Sequence, residues 1–265
     1  MKKTDLNRVL PFEEDYNLLS KYRVWTKRLM EGIFICSVLL PVLNVYSSNE
    51  CVMCLRSILN FFYFISIVIF YIVNTYTETF LYPATARKRR KGFVDNSLGS
   101  KFLSKKIEGY YTNDNIDYGP YKMLINCYEN CFFTLNIAKE MRSHVLCKNI
   151  IIFILFLLIA YWGISNSLIA LPILQIFLST LFLTELVHHF NFITKLEQLF
   201  ERFAEVVTKD MDDEQVLQEA ILLFLDYETI LAYNKAPLSD SVYEQLNEKL
   251  SKEWEEIKNR YDIYK

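Results

Sequence analysis

Asn149-Ile-Ile-Ile-Phe-Ile-Leu-Phe-Leu-Leu-Ile-Ala-Tyr-Trp-Gly163-Ile-Ser-Asn-Ser167-Leu-Ile-Ala-Leu-Pro-Ile-Leu-Gln-Ile-Phe-Leu-Ser-Thr-Leu-Phe-Leu-Thr184 contains no charged residue. As one helix it would be about 54 Å long at 1.5 Å per residue, against a hydrocarbon core of roughly 30 Å. It therefore has to turn back on itself. Gly163-Ile-Ser-Asn-Ser167, a turn-prone run between two apolar halves, is the natural break. The stretch predicts a membrane hairpin of two helices and a very short loop.

The rest of the composition suits a chain that is part membrane and part cytosol. Hydrophobic residues make up 52% and charged residues only 23%, too apolar for a typical soluble protein of 265 residues. A mean hydropathy of +0.13 is nevertheless low for a chain buried wholly in lipid. The net charge of −2 hides an asymmetry. Residues 84–148 hold twelve Lys and Arg against six acids, and from Glu185 onward nine face eighteen. The first thirty residues are charged and lack a cleavage site after an apolar run, so the first span is expected to direct insertion. Of six cysteines only Cys51-Val-Met-Cys54 has ligand spacing, half of what a zinc site needs. In an oxidising compartment that pair suits a labile disulfide.

Two further uncharged runs, Gly32 to Asn49 and Ser57 to Thr77, complete a set of four spans. Pro41 sits two-thirds along the first and is a place for a kink. If the amino terminus is cytosolic, nearly all Lys and Arg lie inside, with Arg56 the exception, as positive-inside topology requires. The expected fold is all-α: an integral membrane protein with four transmembrane helices in two hairpins, plus a cytosolic helical part from the middle segment and the tail. The expected layout is an amphipathic helix over 1–30, a first hairpin over 31–78, a cytosolic connector over 79–148, a second hairpin over 149–187 and a helical tail over 188–265.

Within the cytosolic parts, the second helix is expected to run on to about Arg90. Gly109 to Pro120 breaks the connector, and Tyr121 to Lys148 resumes with helical apolar spacing. In the tail, Leu196, Leu199, Phe200, Phe203, Val206 and Val207 form an amphipathic stripe. Met211-Asp-Asp-Glu214 opens a helix through Tyr233, with acids where the helix dipole favours them. Pro237-Leu-Ser-Asp-Ser241 ends it, and Val242 to Asn259 makes a last, highly charged helix.

Several clusters invite a chemical reading. Arg87-Lys-Arg89-Arg90-Lys91 is either an anion site that holds phosphates through guanidinium contacts or a membrane flank that touches anionic lipid. Asn126, Glu129, Asn130 and Phe133 share one helical face by their three and four spacing. A Glu and two Asn on an apolar helix must be paired when desolvated, so they read a ligand such as a base edge or lock the bundle. Asp95 and Asn96, just beyond the basic run, are candidates for the same two roles. Asn44, Asn60, Ser66, Gln175, Ser179 and Thr180, the polar residues of the spans, either line a pore formed by several subunits or join helices.

Metal and enzyme signals are weak. Asn113-Asp-Asn-Ile-Asp117-Tyr-Gly119 looks like a calcium loop with its glycine one place late and Leu124 at the closing position. Glu185, His188 and His189 read more readily as a polar cluster ending a span than as metal ligands, and no metal site is expected. Phosphate-loop, dinucleotide-binding, nucleophile-elbow and zinc-protease motifs are all missing, so neither an enzyme nor a cofactor is expected.

Leu19-Ser-Lys-Tyr-Arg23, the basic entry Ala84 to Asp95, Leu217-Gln218 through Tyr227, and Asn234-Lys-Ala-Pro237-Leu-Ser-Asp240-Ser-Val-Tyr243 carry a family likeness along nearly the whole chain. With its two hairpins, the chain resembles the four-transmembrane, pore-forming effectors that accompany SMODS-type nucleotidyltransferases in bacterial antiphage systems. Where that family often carries a Gln-Glu-Leu-Phe-Asp-like stretch, this chain has Lys91-Gly-Phe-Val-Asp95-Asn96, matching in the apolar residues and the Asp. The resemblance implies a multi-pass protein of the bacterial inner membrane with both termini cytoplasmic. It would disrupt that membrane when its cytosolic part senses a cyclic oligonucleotide, with Arg87, Arg89, Arg90 and Lys91 taking the phosphates. The implied partners are membrane lipid, further copies of the chain and the nucleotide, with no DNA or RNA polymer. A constitutive small channel or transporter subunit, or a membrane-bound metalloenzyme, are the alternatives.

Overall fold

A computed structural model describes residues 12–45, 50–105, 111–164, 182–234 and 239–263. The chain is all-α, and no strand occurs among the described residues. The helices are α1 (Glu13–Val45), α2 (Glu50–Tyr76), a π-helical turn (Thr77–Leu81), α3 (Tyr82–Leu98), α4 (Pro120–Ile164), α5 (Phe182–Val207), α6 (Asp213–Asn234) and α7 (Asp240–Arg260). They divide into two compact units, which are described separately; of the described residues, 12–89 and 150–164 fall in the first and 90–149 and 182–263 in the second.

In the first unit α1 and α2 pack on each other. Lys88 Nζ lies 2.6 Å from Asp15 Oδ2 and Arg23 Nε 3.2 Å from Glu78 Oε1, while the rings of Tyr22 and Tyr76 stand 5.8 Å apart. Partner numbers fall on one strand of contacts as they rise on the other, the mark of an antiparallel pair. Glu13, Glu14 and Asp15 occupy the first turn of α1, where the dipole favours them. The helix continues through Pro41 to Val45.

α2 contributes no buried side chain. Phe61, Phe62, Phe64, Tyr71 and Ile72 are each exposed by 60% or more, an apolar surface of the kind that lipid covers. Among the described residues one continuous helix, Glu50–Leu98, is long and apolar enough to cross a membrane by length and composition. Its hydroxyls bond back to the preceding turn, Ser57 to the Met53 carbonyl at 3.0 Å and Thr77 to that of Val73 at 2.7 Å. The helix also runs eight residues beyond the expected end near Arg90, because Gly92 faces the core and does not break it.

The second unit is a helical bundle centred on α4. Tyr128 is fully buried, stacked on Phe203 with ring centroids 5.3 Å apart and edge-on to Trp254 at 5.2 Å. Phe93 of α3 lies flat on Phe224 of α6 at 4.7 Å. The α5 stripe puts Leu196, Leu199, Phe203 and Val206 into this core, with Phe200 and Val207 packed at its edge. Each such side chain contributes about 1.5–3 kcal/mol of burial.

The bundle's helix ends follow local chemistry. Pro120, with no N–H to leave unpaired, starts α4. Asp212 and Gln215 form a reciprocal capping box at the start of α6, with bonds of 2.8 and 3.3 Å. Ser239 caps α7 through Val242 N–H at 3.4 Å. At its other end Asp262 takes a φ of 52°, Ile263 N–H bonds to Lys258 O at 3.0 Å, and buried Ile263 fastens the tail to the core.

Candidate functional site

The end of α3 and the segment before α4 frame the only dense polar cluster seen in the core among the described residues. α3 stops at Gly99, whose φ of +69° suits glycine and whose N–H bonds to Asp95 O at 3.1 Å. Asp95 then organises the chain beyond: its Oδ1 accepts from Ser100 Oγ and Phe102 N–H, and its Oδ2 from Leu103 N–H, each at 2.7 Å. Burial alone would raise this carboxyl's pKa, but the two amides, the Ser100 hydroxyl and the Lys91 charge together hold it below the ordinary Asp value. Gly119 N–H returns to Ser97 O at 3.0 Å, which brings the start of α4 beside the end of α3.

Behind that junction lies a buried hydrogen-bonded chain. Asn113 Nδ2 donates to Glu129 Oε2 at 2.7 Å and to Asn126 Oδ1 at 3.0 Å. Asn126 Nδ2 donates to Asn96 Oδ1 and Ser97 Oγ, both at 3.0 Å. Thr112 Oγ1 donates to Glu129 Oε1 at 3.0 Å and accepts from Lys258 Nζ at 3.4 Å. Asn113, Asn126, Ser97 and Lys258 are fully buried, and Glu129 nearly so. Burial pushes the Glu129 carboxyl up to about 7, against the pull of the Thr112 hydroxyl, the Lys258 charge and the Asn113 amide. Lys258 also pairs with Glu255 at 2.6 Å on its own helix. One acceptor, Asn113 Oδ1, is buried with no hydrogen-bond partner.

Asn126, Glu129, Asn96 and Asp95 thus gather at one junction. Asn130 turns aside to Tyr111 Oη at 3.4 Å. The chain's other members, Thr112, Asn113, Ser97 and Lys258, escaped the sequence reading. Asn113 drew notice only as part of a false calcium loop, and Lys258 looked like one more surface charge on a polar helix.

The basic run does not act as one block. Lys88 pairs with Asp15, while Arg90 lies 3.5 Å from Glu228, a buried carboxylate of α6. Arg87 and Lys91 are exposed and Arg89 is half-buried. His189 is buried, its Nε2 3.0 Å from Ala138 O, and the His188 ring lies 6.4 Å from that of Tyr233. No three potential ligands gather for a metal among the described residues. Asn44 and Ser66 are half-buried and Asn60 is exposed, while Gln175, Ser179 and Thr180 lie outside the described residues, as does most of the predicted Gly163–Ser167 turn. Comparison with known protein families, curated proteins and solved structures gives no match.

Proposed function

We propose that this chain is a membrane effector of bacterial antiphage signalling, resting in the inner membrane until its cytosolic bundle binds a cyclic oligonucleotide, and then making the membrane leak. The observation that carries the reading is the helix Glu50–Leu98. Its apolar first half contributes no fully buried side chain, whereas its far end is tied into a core through Phe93, Asn96 and Ser97. A helix so built passes a change of hold at one end along its own backbone to the other. A ligand drives such a change only by binding one arrangement better than the other.

Four spans in two hairpins, with both termini inside, complete the proposal, and several copies assemble to form the leak. The α1–α2 pair supplies the first hairpin and the uncharged stretch from Asn149 to Thr184 the second. The exposed cations Arg87 and Lys91, with Arg89, are the phosphate ligands. Arg90 is set apart by its contact with Glu228.

The test is leakage from liposomes carrying the full chain, challenged with a panel of cyclic di- and trinucleotides. Neutralising Arg87, Arg89 and Lys91 together abolishes triggered leakage and leaves insertion intact. Leakage that persists in that variant, or that no member of the panel triggers in the unaltered protein, overturns the proposal. Labelling of single cysteines placed near residue 110 checks topology separately, with outward exposure ruling it out.

A further inference from the structure

The buried chain that ends at Asn113 has a property its members lack singly. Each amide in it is bonded through one end to a neighbour that needs the complementary end. Asn113 gives an N–H to Asn126 Oδ1, so Asn126 must present its oxygen there and its N–H groups to Asn96 and Ser97. If Asn113 turns its amide over, its oxygen meets the oxygen of Asn126, and two acceptors cannot share that contact. Asn126 must then turn, and after it Asn96; the Ser97 hydroxyl follows by rotating its hydrogen.

What turns Asn113 is a proton on Glu129. As a carboxylate, Glu129 accepts from Asn113 Nδ2 at 2.7 Å. As an acid, its Oε2 carries a hydrogen that needs an acceptor. The Thr112 hydroxyl lies against the other oxygen, Oε1, to which it donates at 3.0 Å. Asn113 Oδ1, buried and without a hydrogen-bond partner, is the acceptor to hand.

We propose that Glu129 is a proton sensor, and that its protonation reverses the donor direction of the Glu129–Asn113–Asn126–Asn96/Ser97 chain, changing how the last turn of α3 is held to the bundle. No atom is lost or gained except the one proton, taken from solvent onto Oε2. Among the described residues facing Glu129, the charged one is Lys258, from α7, with Glu255 behind it. Thr112 and Asn113 ahead of α4 and Asn96 and Ser97 of α3 are neutral. The raised acidity range of Glu129 places the event near neutral pH. The inference does not rest on nucleotide sensing or leakage, since it needs only the bundle as folded.

Infrared difference spectra of the full-length protein in liposomes, between pH 8 and pH 6, test it directly. With isotope-labelled glutamate and asparagine, the wild-type protein gains the carbonyl stretch of one buried protonated carboxyl, accompanied by a shift of asparagine side-chain amide bands. Both changes vanish in E129Q. In K258M, where the attracting charge is gone, the midpoint rises by about one pH unit or more. A wild-type spectrum without the carboxyl band, a carboxyl band without the amide shift, changes that survive in E129Q, or an unmoved K258M midpoint would each overturn the proposal. The wild-type spectrum alone decides if either variant fails to fold.

Discussion

Replacing Glu129 by Gln fixes this buried position in an uncharged form of nearly the same shape. The carboxyl titrates from the ordinary 4.5 up to about 7 when folded, a rise of roughly 2.5 units, which corresponds to about 3 kcal/mol. The sign follows from which state holds the proton more tightly. The folded state does, so the contribution is fully present below pH 4.5, falls as the pH rises, and is gone once the pH passes about 7. The wild-type bundle should therefore lose up to about 3 kcal/mol between pH 4.5 and 8, a drop in melting midpoint of about 6–12 °C for a unit of this size. E129Q should lack that part of the slope. The assay is tryptophan-fluorescence melting of the detergent-solubilised protein at fixed ionic strength, with Trp254 in the bundle core as a reporter. The quantity to follow is the difference between wild type and E129Q at each pH, which cancels the contribution of groups common to both proteins. A difference that stays flat from pH 5 to 8 refutes the reasoning.

Three further outcomes are expected. Gly99→Ala forces a side chain into φ +69° and brings its Cβ within 3.1 Å of Tyr118 Cγ, costing about 1–2 kcal/mol; adding Tyr118→Ala restores only the contact part, as a double-mutant melting cycle would show. Asp95→Asn weakens three hydrogen bonds and lowers stability by about 1–3 kcal/mol at pH 7. Because the folded pKa of Asp95 is depressed, its contribution is present above pH 3.8 and is lost as the pH falls through the lower folded value, so wild type and Asp95→Asn should converge in acid. His189→Ala removes the bond to Ala138 O and lowers the melting stability by about 1 kcal/mol, while the wild-type midpoint stays unmoved by chelators.

Much of the bundle was legible because its signals are local. The stripe in α5, the acids opening α6 and the Ser239 stop each state their structure within a few residues. The face shared by Asn126 and Glu129 was legible for the same reason. Most of its partners were not, since Ser97, Thr112, Asn113 and Lys258 come from three other stretches and no period in the sequence links them. Asp95, a candidate for either a ligand-reading or a structural role, holds the chain after α3 with three short hydrogen bonds. The basic run does not form one block because five consecutive residues wrap more than a full turn of helix at about 100° each, which points Lys88 and Arg90 at different neighbours.

The π-helical turn at Thr77–Leu81 makes the first unit sensitive to counting. Such a turn accommodates one residue more than an α-helix would, so everything after it is rotated by about 100° from where regular winding would carry it. The contact of Lys88 with Asp15 depends on that offset, and so does the Arg23 guanidinium lying 5.0 Å from the Tyr82 ring centre. Deleting a single residue from this turn would let the helix wind evenly with both contacts still in register, whereas regular winding at the present length would swing them about a quarter-turn off their targets. A one-residue deletion here should therefore be forgiven more readily than a one-residue insertion.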